Sequence, residues 1–144
     1  MLKHPVETIN IKANLIDIGV ANHWLIALFE QYHVPSNKAI ALDHCLDEVL
    51  MNILMHGGPE VKDSRISLSF CSKDLVNSTE VNLTITDSGI PFNPLKFTPK
   101  ELPKTLDELV PGGLGVVIIQ EMSDRLEYER KDGKNVLTLT VHFP

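Results

Sequence analysis

The stretch from Leu42 to Gly58, Leu-Asp-His-Cys-Leu-Asp-Glu-Val-Leu-Met-Asn-Ile-Leu-Met-His-Gly-Gly, constrains the fold more than any other part of this chain. Its apolar residues Leu42, Leu46, Val49, Leu50, Ile53 and Leu54 recur at the spacings that place side chains on one face of an α-helix. The helix is expected to open after Pro35-Ser36-Asn37, with Ser36 or Asn37 as its cap. It is expected to close at Gly57-Gly58, where glycine takes the left-handed conformation that ends helices. Such a helix has roughly five turns and one face that must be covered by another layer. A polar stripe of His44, Glu48, Asn52 and His56, spaced four apart, crosses it. Residues four apart differ by roughly 40° around the axis, so Glu48 and Asn52 present a carboxylate and an amide to one small volume. The stripe is either the solvated side of an amphipathic helix or two polar groups sharing a ligand, and the helix alone does not choose.

The chain has 144 residues, enough for one domain with a proper core and no need of disulfides or a structural metal. We therefore expect a single domain spanning residues 1–144. Its net charge of −6 offers no basic stripe for a phosphate backbone, which argues against nucleic acid as a partner. The N-terminus, Met-Leu-Lys-His-Pro-Val-Glu, has no apolar signal core, and no run is long enough to span a bilayer. These features predict a cytoplasmic protein with no membrane association. Cys45, within the helix, and Cys71, at a strand end, share no Cys-x-x-Cys spacing and read as reduced structural thiols.

Val6 to Lys12 reads as a first strand, and Asn14 as the cap of a first long helix from Leu15 to Tyr32. In that helix Leu15, Ile18, Leu25, Leu28, Phe29 and Tyr32 keep helical spacing, with Gly19 the one point of interruption. Trp24 and Phe29 are expected in the core rather than at a partner surface. Ser64 to Phe70 and Val81 to Thr86 alternate apolar and polar residues as half-buried strands do, joined by a polar hairpin connection from Ser72 to Glu80. The second strand ends on Asp87-Ser88-Gly89-Ile90-Pro91. There Gly89 lets the backbone approach a ligand and Asp87 offers an acceptor at the strand mouth, unless this is an ordinary Asp-x-Gly turn.

The long connection from Pro94 to Pro111 reads as a lid containing Lys96, Lys100 and Lys104. Gly112-Gly113-Leu114-Gly115 follows, and Val116 to Met122, which periodicity alone allows as strand or helix, is read from Ile119, Met122 and the glycines as a helix that starts within them. Its first unpaired amides would form a site for phosphate oxygens, although a flexible loop end explains the same glycines. Arg125 to Lys131, the turn Asp132-Gly133 and Asn135 to Phe143 form a β-hairpin pattern. The order of elements predicts an α+β fold: a two-layer α/β sandwich whose mixed, mostly antiparallel sheet carries its helices on one face.

Three motifs occur in order: Leu46-Asp47-Glu48-x-x-x-Asn52-x-x-x-His56-Gly57 on a helix, Asp87-x-Gly89-x-Pro91-Phe92 after a strand, and Gly112-Gly113-x-Gly115 opening a helix. Together they resemble the three nucleotide-binding boxes of the GHKL ATPase superfamily, and in their particular form its anti-sigma factor serine-protein kinases. The resemblance implies ATP and Mg²⁺ as cofactors, with the Asn52 oxygen on the metal, a role suited to a hard cation that keeps water and phosphate ligands. It implies Glu48 as the base that orients a hydroxyl and accepts its proton. Asp87 then accepts from the adenine amino group and Gly89 lets the base lie close. Gly112, Gly113, Leu114 and Gly115 form the phosphate loop beneath the lid.

A lid lysine could reach the γ-phosphate, but nothing selects among the three. His56 fits the family's histidine position, though a histidine in a last helical turn has a structural reason of its own. His44 lacks partners for a zinc site. Asn93 stands where relatives often carry aspartate.

The implied function is transfer of the γ-phosphoryl group to a serine or threonine of a small anti-anti-sigma-type protein, regulating a sigma factor by partner switching, in a homodimer. The alternative is a nucleotide-binding regulatory or scaffolding module, against which Glu48 argues because binding alone needs no proton acceptor. A histidine-kinase catalytic piece is a third reading; the helix box comes too early to leave room for a phosphoacceptor helix pair.

Overall fold

The computed structural model describes residues 2–61, 64–91 and 123–144. Within them the chain runs through β1 (Leu2–Lys3), β2 (Glu7–Lys12), α1 (Leu15–Gln31), α2 (Ser36–His56), a 3₁₀ turn (Pro59–Val61), β3 (Arg65–Asp74), β4 (Thr79–Asp87), β5 (Arg125–Lys131) and β6 (Lys134–Phe143). Every strand pairing among these residues is antiparallel, in the order β1-β3-β4-β6-β5, with β2 beside β1 on the same edge of β3. The β1 and β2 segments are one edge broken at His4-Pro5-Val6, where Pro5 has no amide to give the ladder. Val6 is thus outside the strand and exposed.

Alternation sets the layers. Ile66, Leu68 and Phe70 of β3, Val81, Leu83 and Ile85 of β4, and Leu137, Leu139 and Val141 of β6 are all buried on one side of the sheet. Register lines them up in apolar rows, Leu68 against Ile85 against Leu137, and Phe70 against Leu83 against Leu139. The helices cover that side through Ile18, Ala21, Leu25, Leu28 and Phe29 of α1 and Leu42, Cys45, Leu46, Leu50 and Ile53 of α2, in one continuous core. Trp24, Val49 and Leu54 pack at its margin. The opposite side of the sheet is polar and bonded across strands, as in Ser67 Oγ to Asn10 Oδ1 at 2.7 Å and Thr140 Oγ1 to Asn82 Oδ1 at 2.6 Å. The α+β sandwich with helices on one face is therefore the observed fold.

Local chemistry explains the element ends. Asn14 caps α1 as expected, its Oδ1 accepting from the Asp17 amide at 2.7 Å while Asp17 Oδ2 accepts from the Lys12 amide at 2.7 Å. Gly19 does not interrupt the helix. After α1, His33 takes a left-handed φ of 55°, and the Val34 amide donates back to the Phe29 carbonyl at 2.9 Å, closing the helix end. The cap of α2 corrects the sequence reading. Pro35, not Ser36 or Asn37, is the capping residue, and it contributes no side-chain bond. Its fixed φ of −61° and free carbonyl, which accepts from Lys38 and Ala39, start the helix instead.

Two further expectations change in the sheet. The connection between β3 and β4 is a tight turn rather than the whole of Ser72 to Glu80, because the strands pair as far as Asp74 with Thr79 and Leu75 N bonds Ser78 O at 2.7 Å. Cys71 consequently lies inside β3, not at its end. The hairpin turn at Asp132-Gly133 has φ of 53° and 75°, the paired positive values that this dipeptide favours. No helix among the described residues is long and apolar enough to cross a membrane.

Candidate active site

The inward-facing row of β4 does not stay apolar to its end. After Val81, Leu83 and Ile85 the next inward position is Asp87, and directly opposite it on β6 is Asn135. Both are only 6% exposed. A carboxylate this buried must be bonded, and it is: Asp87 Oδ1 accepts from the Gly89 amide at 2.8 Å and from Asn135 Nδ2 at 3.1 Å. Among the described residues both bonds fall on Oδ1, and Oδ2 accepts no protein hydrogen bond. Burial pushes the Asp87 carboxyl above the usual aspartate value, against the opposing effects of the Gly89 amide, the Asn135 amide and the Arg130 charge.

The turn that follows is clamped to the end of α2. Ile90 N donates to the Gly57 carbonyl at 2.9 Å. A Cβ on Gly89 would stand 2.8 Å from Gly57 O and 3.0 Å from Gly57 Cα, both backbone atoms that cannot swing aside. Gly89 is therefore required by the contact with the helix end, a reason the sequence did not show. Gly57 has the complementary constraint, since a Cβ there would meet Val61 Cγ2 at 2.5 Å. Gly57 itself stays right-handed at φ −70°, and Gly58, at 86°, is the left-handed residue that ends α2. On the other flank Arg130 Nη1 donates to Gly89 O at 2.7 Å.

The expected outcome for Gly89→Ala is overpacking against immobile backbone, costing about 1–3 kcal/mol of stability. Urea unfolding of the two proteins checks it; an unchanged midpoint would mean the turn yields more readily than the contact distances imply.

Glu48 and Asn52 lie one turn apart on α2, each half-buried, between exposed His44 and exposed His56. Among the described residues neither Glu48 nor Asn52 is committed to a side-chain hydrogen bond or ion pair. A free amide oxygen one turn from a free carboxylate fits a magnesium ion that takes one protein oxygen and completes its shell from phosphate and water. Cys45, on the preceding turn, has its thiol pushed up to about 12 by burial and then by the Glu48 charge, so it is inert at neutral pH. His56 occupies the last turn of α2, where an imidazole faces the carbonyl end of the helix.

The structure thus brings Asp87 and Gly89 against the end of the helix that carries Glu48 and Asn52. Gly112, Gly113, Leu114 and Gly115 lie outside the described residues. So do the lid from Pro94 to Pro111 with Lys96, Lys100 and Lys104, the helix expected from Val116 to Met122, and Asn93. Sequence reasoning read Gly57 only as a helix end and motif glycine, and missed Tyr128, Arg130 and Asn135. One signal was available for Asn135: it continues the inward series of Leu137, Leu139, Val141 and Phe143, yet is polar.

A family model described as the histidine kinase-like ATPase domain matches residues 11–141. The chain belongs to that family. It is 30% identical over 138 residues to the serine/threonine-protein kinase BtrW of Bordetella bronchiseptica, covering 94% of this chain and 93% of that protein. On this kinship it is an ATP-using serine/threonine-protein kinase.

Two solved structures share the fold. A chain of the SiaB–SiaC complex of Pseudomonas aeruginosa matches with a TM-score of 0.68 at 12% identity, over 94% of this chain and 88% of that one. The structure of the RsbU and RsbW domains of a Mycobacterium tuberculosis protein matches with a TM-score of 0.66 at 14% identity. There 98% of this chain aligns, but it spans only 34% of the larger one.

Proposed function

We propose that residues 1–144 act as a single cytoplasmic domain that transfers the γ-phosphoryl group of ATP to a serine or threonine hydroxyl on a small anti-anti-sigma-type protein, and thereby controls a sigma factor by partner switching. The observation that carries this reading is the clamp between the Asp87 turn and the end of α2, made by Ile90 N on Gly57 O and by the close packing of Gly89 on Gly57. It orders the site along one helix. At 1.5 Å per residue, Asn52 stands about 7.5 Å and Glu48 about 13.5 Å along the axis from Gly57. A nucleotide with its base at Asp87 would then meet the amide before the carboxylate, the sequence in which phosphates and an incoming hydroxyl need them.

In this reading Asp87 Oδ2 accepts from the adenine amino group, and Asn52 offers its side-chain oxygen to the metal. Magnesium, when bound with ATP, neutralises charge building on the phosphates. Glu48 would orient the incoming hydroxyl and take its proton as that oxygen bonds to the γ-phosphorus and the bond from phosphorus to the bridging oxygen breaks, releasing ADP. Gly112, Gly113, Leu114 and Gly115 are assigned to the phosphate loop by motif. The BtrW kinship supports a protein hydroxyl as acceptor, and the solved SiaB–SiaC complex supports a protein as partner. A homodimer is proposed from the resemblance of the three motifs to the family alone.

Calorimetry of ATP and GTP binding, with Mg²⁺ and then with EDTA, tests the reading. Magnesium-dependent binding that prefers ATP is expected. Equal affinity for the two nucleotides would remove the role of Asp87, and no binding at all would favour a scaffolding module.

A further inference from the structure

The side chain of Asn135 is more elaborately held than packing requires. A leucine or valine would continue the inward apolar row of β6, whereas a buried amide carries a desolvation penalty unless every valence is met. The valences described are met by specific partners. The two Nδ2 hydrogens go to Asp87 Oδ1 at 3.1 Å and to the Ile90 carbonyl at 2.8 Å, and Oδ1 accepts from the Tyr128 hydroxyl at 2.5 Å. Exchanging the amide ends would set its oxygen against two acceptors, so the orientation is determined by chemistry. Tyr128 comes from β5 and Asn135 from β6, so the device is built by the sheet and not by the turn it serves.

We propose that Tyr128 and Asn135 form a positioning relay for base recognition, in which the Tyr128 hydroxyl fixes the Asn135 amide and the amide fixes the Asp87 carboxylate with Oδ2 facing the base. This rests on the reading that Asp87 takes the adenine amino group. With Asn135 and the Gly89 amide both donating to Oδ1, rotation of the carboxylate would break two bonds at once. The Ile90 carbonyl held by the same amide ties the turn to the relay. Arg130, from β5, is the charged group bearing on Asp87 among the described residues, and it acts through Gly89 O and through its field. His56, in the last turn of α2, is exposed.

The test uses the full chain with Asn135→Ala, Tyr128→Phe and the double variant, measuring ATP affinity by calorimetry from pH 5 to pH 9. Asn135→Ala is expected to weaken ATP binding about tenfold, the loss of one hydrogen bond to a charged group. It should also move the acid limb of binding to higher pH, because the carboxylate loses a donor that favours its ionised form. Tyr128→Phe should weaken binding about two- to fourfold in the wild-type background and have no effect once Asn135 is gone, the signature of two groups acting in series. A wild-type acid limb in Asn135→Ala, or additive losses in the double variant, overturns the relay.

Asp87→Asn separates the two failures. If it binds ATP as wild type does, the assignment of Asp87 itself is wrong; if it loses ATP while Asn135→Ala keeps the wild-type profile, only the relay is. Should Asn135→Ala fail to fold by circular dichroism, Tyr128→Phe, which removes a single oxygen, decides by its affinity and pH profile.

Discussion

Glu48→Ala is expected to lower phosphoryl transfer by about 10²–10⁴-fold, the usual contribution of a positioned proton acceptor, while leaving ATP affinity within a factor of about three. The separation follows from the site. Glu48 lies on the α2 face one turn beyond Asn52, so it is farther than the amide from the Asp87 turn proposed to hold the base. It makes no side-chain bond among the described residues, and its removal takes away no structural partner. Single-turnover transfer from labelled ATP to an acceptor protein measures the first effect, and calorimetry the second. Transfer at the wild-type rate would remove Glu48 from the chemistry; parallel loss of affinity would make it a binding group instead.

Asp87→Asn is expected to weaken ATP binding by about 100-fold or more and to shift preference toward a base with a carbonyl in place of the amino group. Two protein donors, the Gly89 amide and Asn135 Nδ2, converge on Oδ1. Any amide at this position must put its oxygen there, which turns its NH₂ toward the ligand. A donor then meets the adenine amino donor, and a buried polar mismatch costs about 2–3 kcal/mol. Comparing ATP with inosine triphosphate reads the inversion directly. Equal weakening of both would point to a collapsed turn rather than a reversed donor.

Stability should move the other way. Burial, only partly offset by the Gly89 amide, the Asn135 amide and Arg130, raises the Asp87 carboxyl above its unfolded value. The folded state therefore holds the proton more tightly, and stability falls as pH rises from the ordinary aspartate range through the raised folded value. Asp87→Asn abolishes that dependence, so the ligand-free variant should be no less stable than wild type at pH 8. Thermal unfolding at pH 5 and pH 8 checks it, with a flatter difference expected for the variant. Wild-type ATP binding should fail on acidification at a higher pH than an ordinary aspartate would allow, because the proton removes the acceptor that the base requires.

Much of the frame was legible because it rests on periodicity. The helical spacing of Leu42, Leu46, Leu50 and Ile53 and the alternation in β3, β4 and β6 are local consequences of which positions can face a common core, and the structure buries those residues. The Asn14 cap and the Asp132-Gly133 turn were legible for the same kind of reason, since each depends on the conformational habits of one or two residues. The cap of α2 was misread because Ser36 and Asn37 have the right chemistry but sit inside the first turn, where Pro35 has already set the backbone. The β3–β4 connection was drawn too long because polar residues on the outer side of a sheet resemble loop residues when their cross-strand partners are unknown.

The candidate site divides along the same line. The sequence by itself determined that Glu48 and Asn52 share a helix face and that Asp87 closes a strand, since both follow from spacing within one element. Only the tertiary structure decided that Gly57 and Gly89 meet, that Asn135 stands opposite Asp87, and that Tyr128 and Arg130 reach the same turn. These contacts join residues up to 48 positions apart, as Asp87 and Asn135 are. They depend on strand register and on how α2 docks, which arise from the summed packing of the whole core and leave no local signature in the chain.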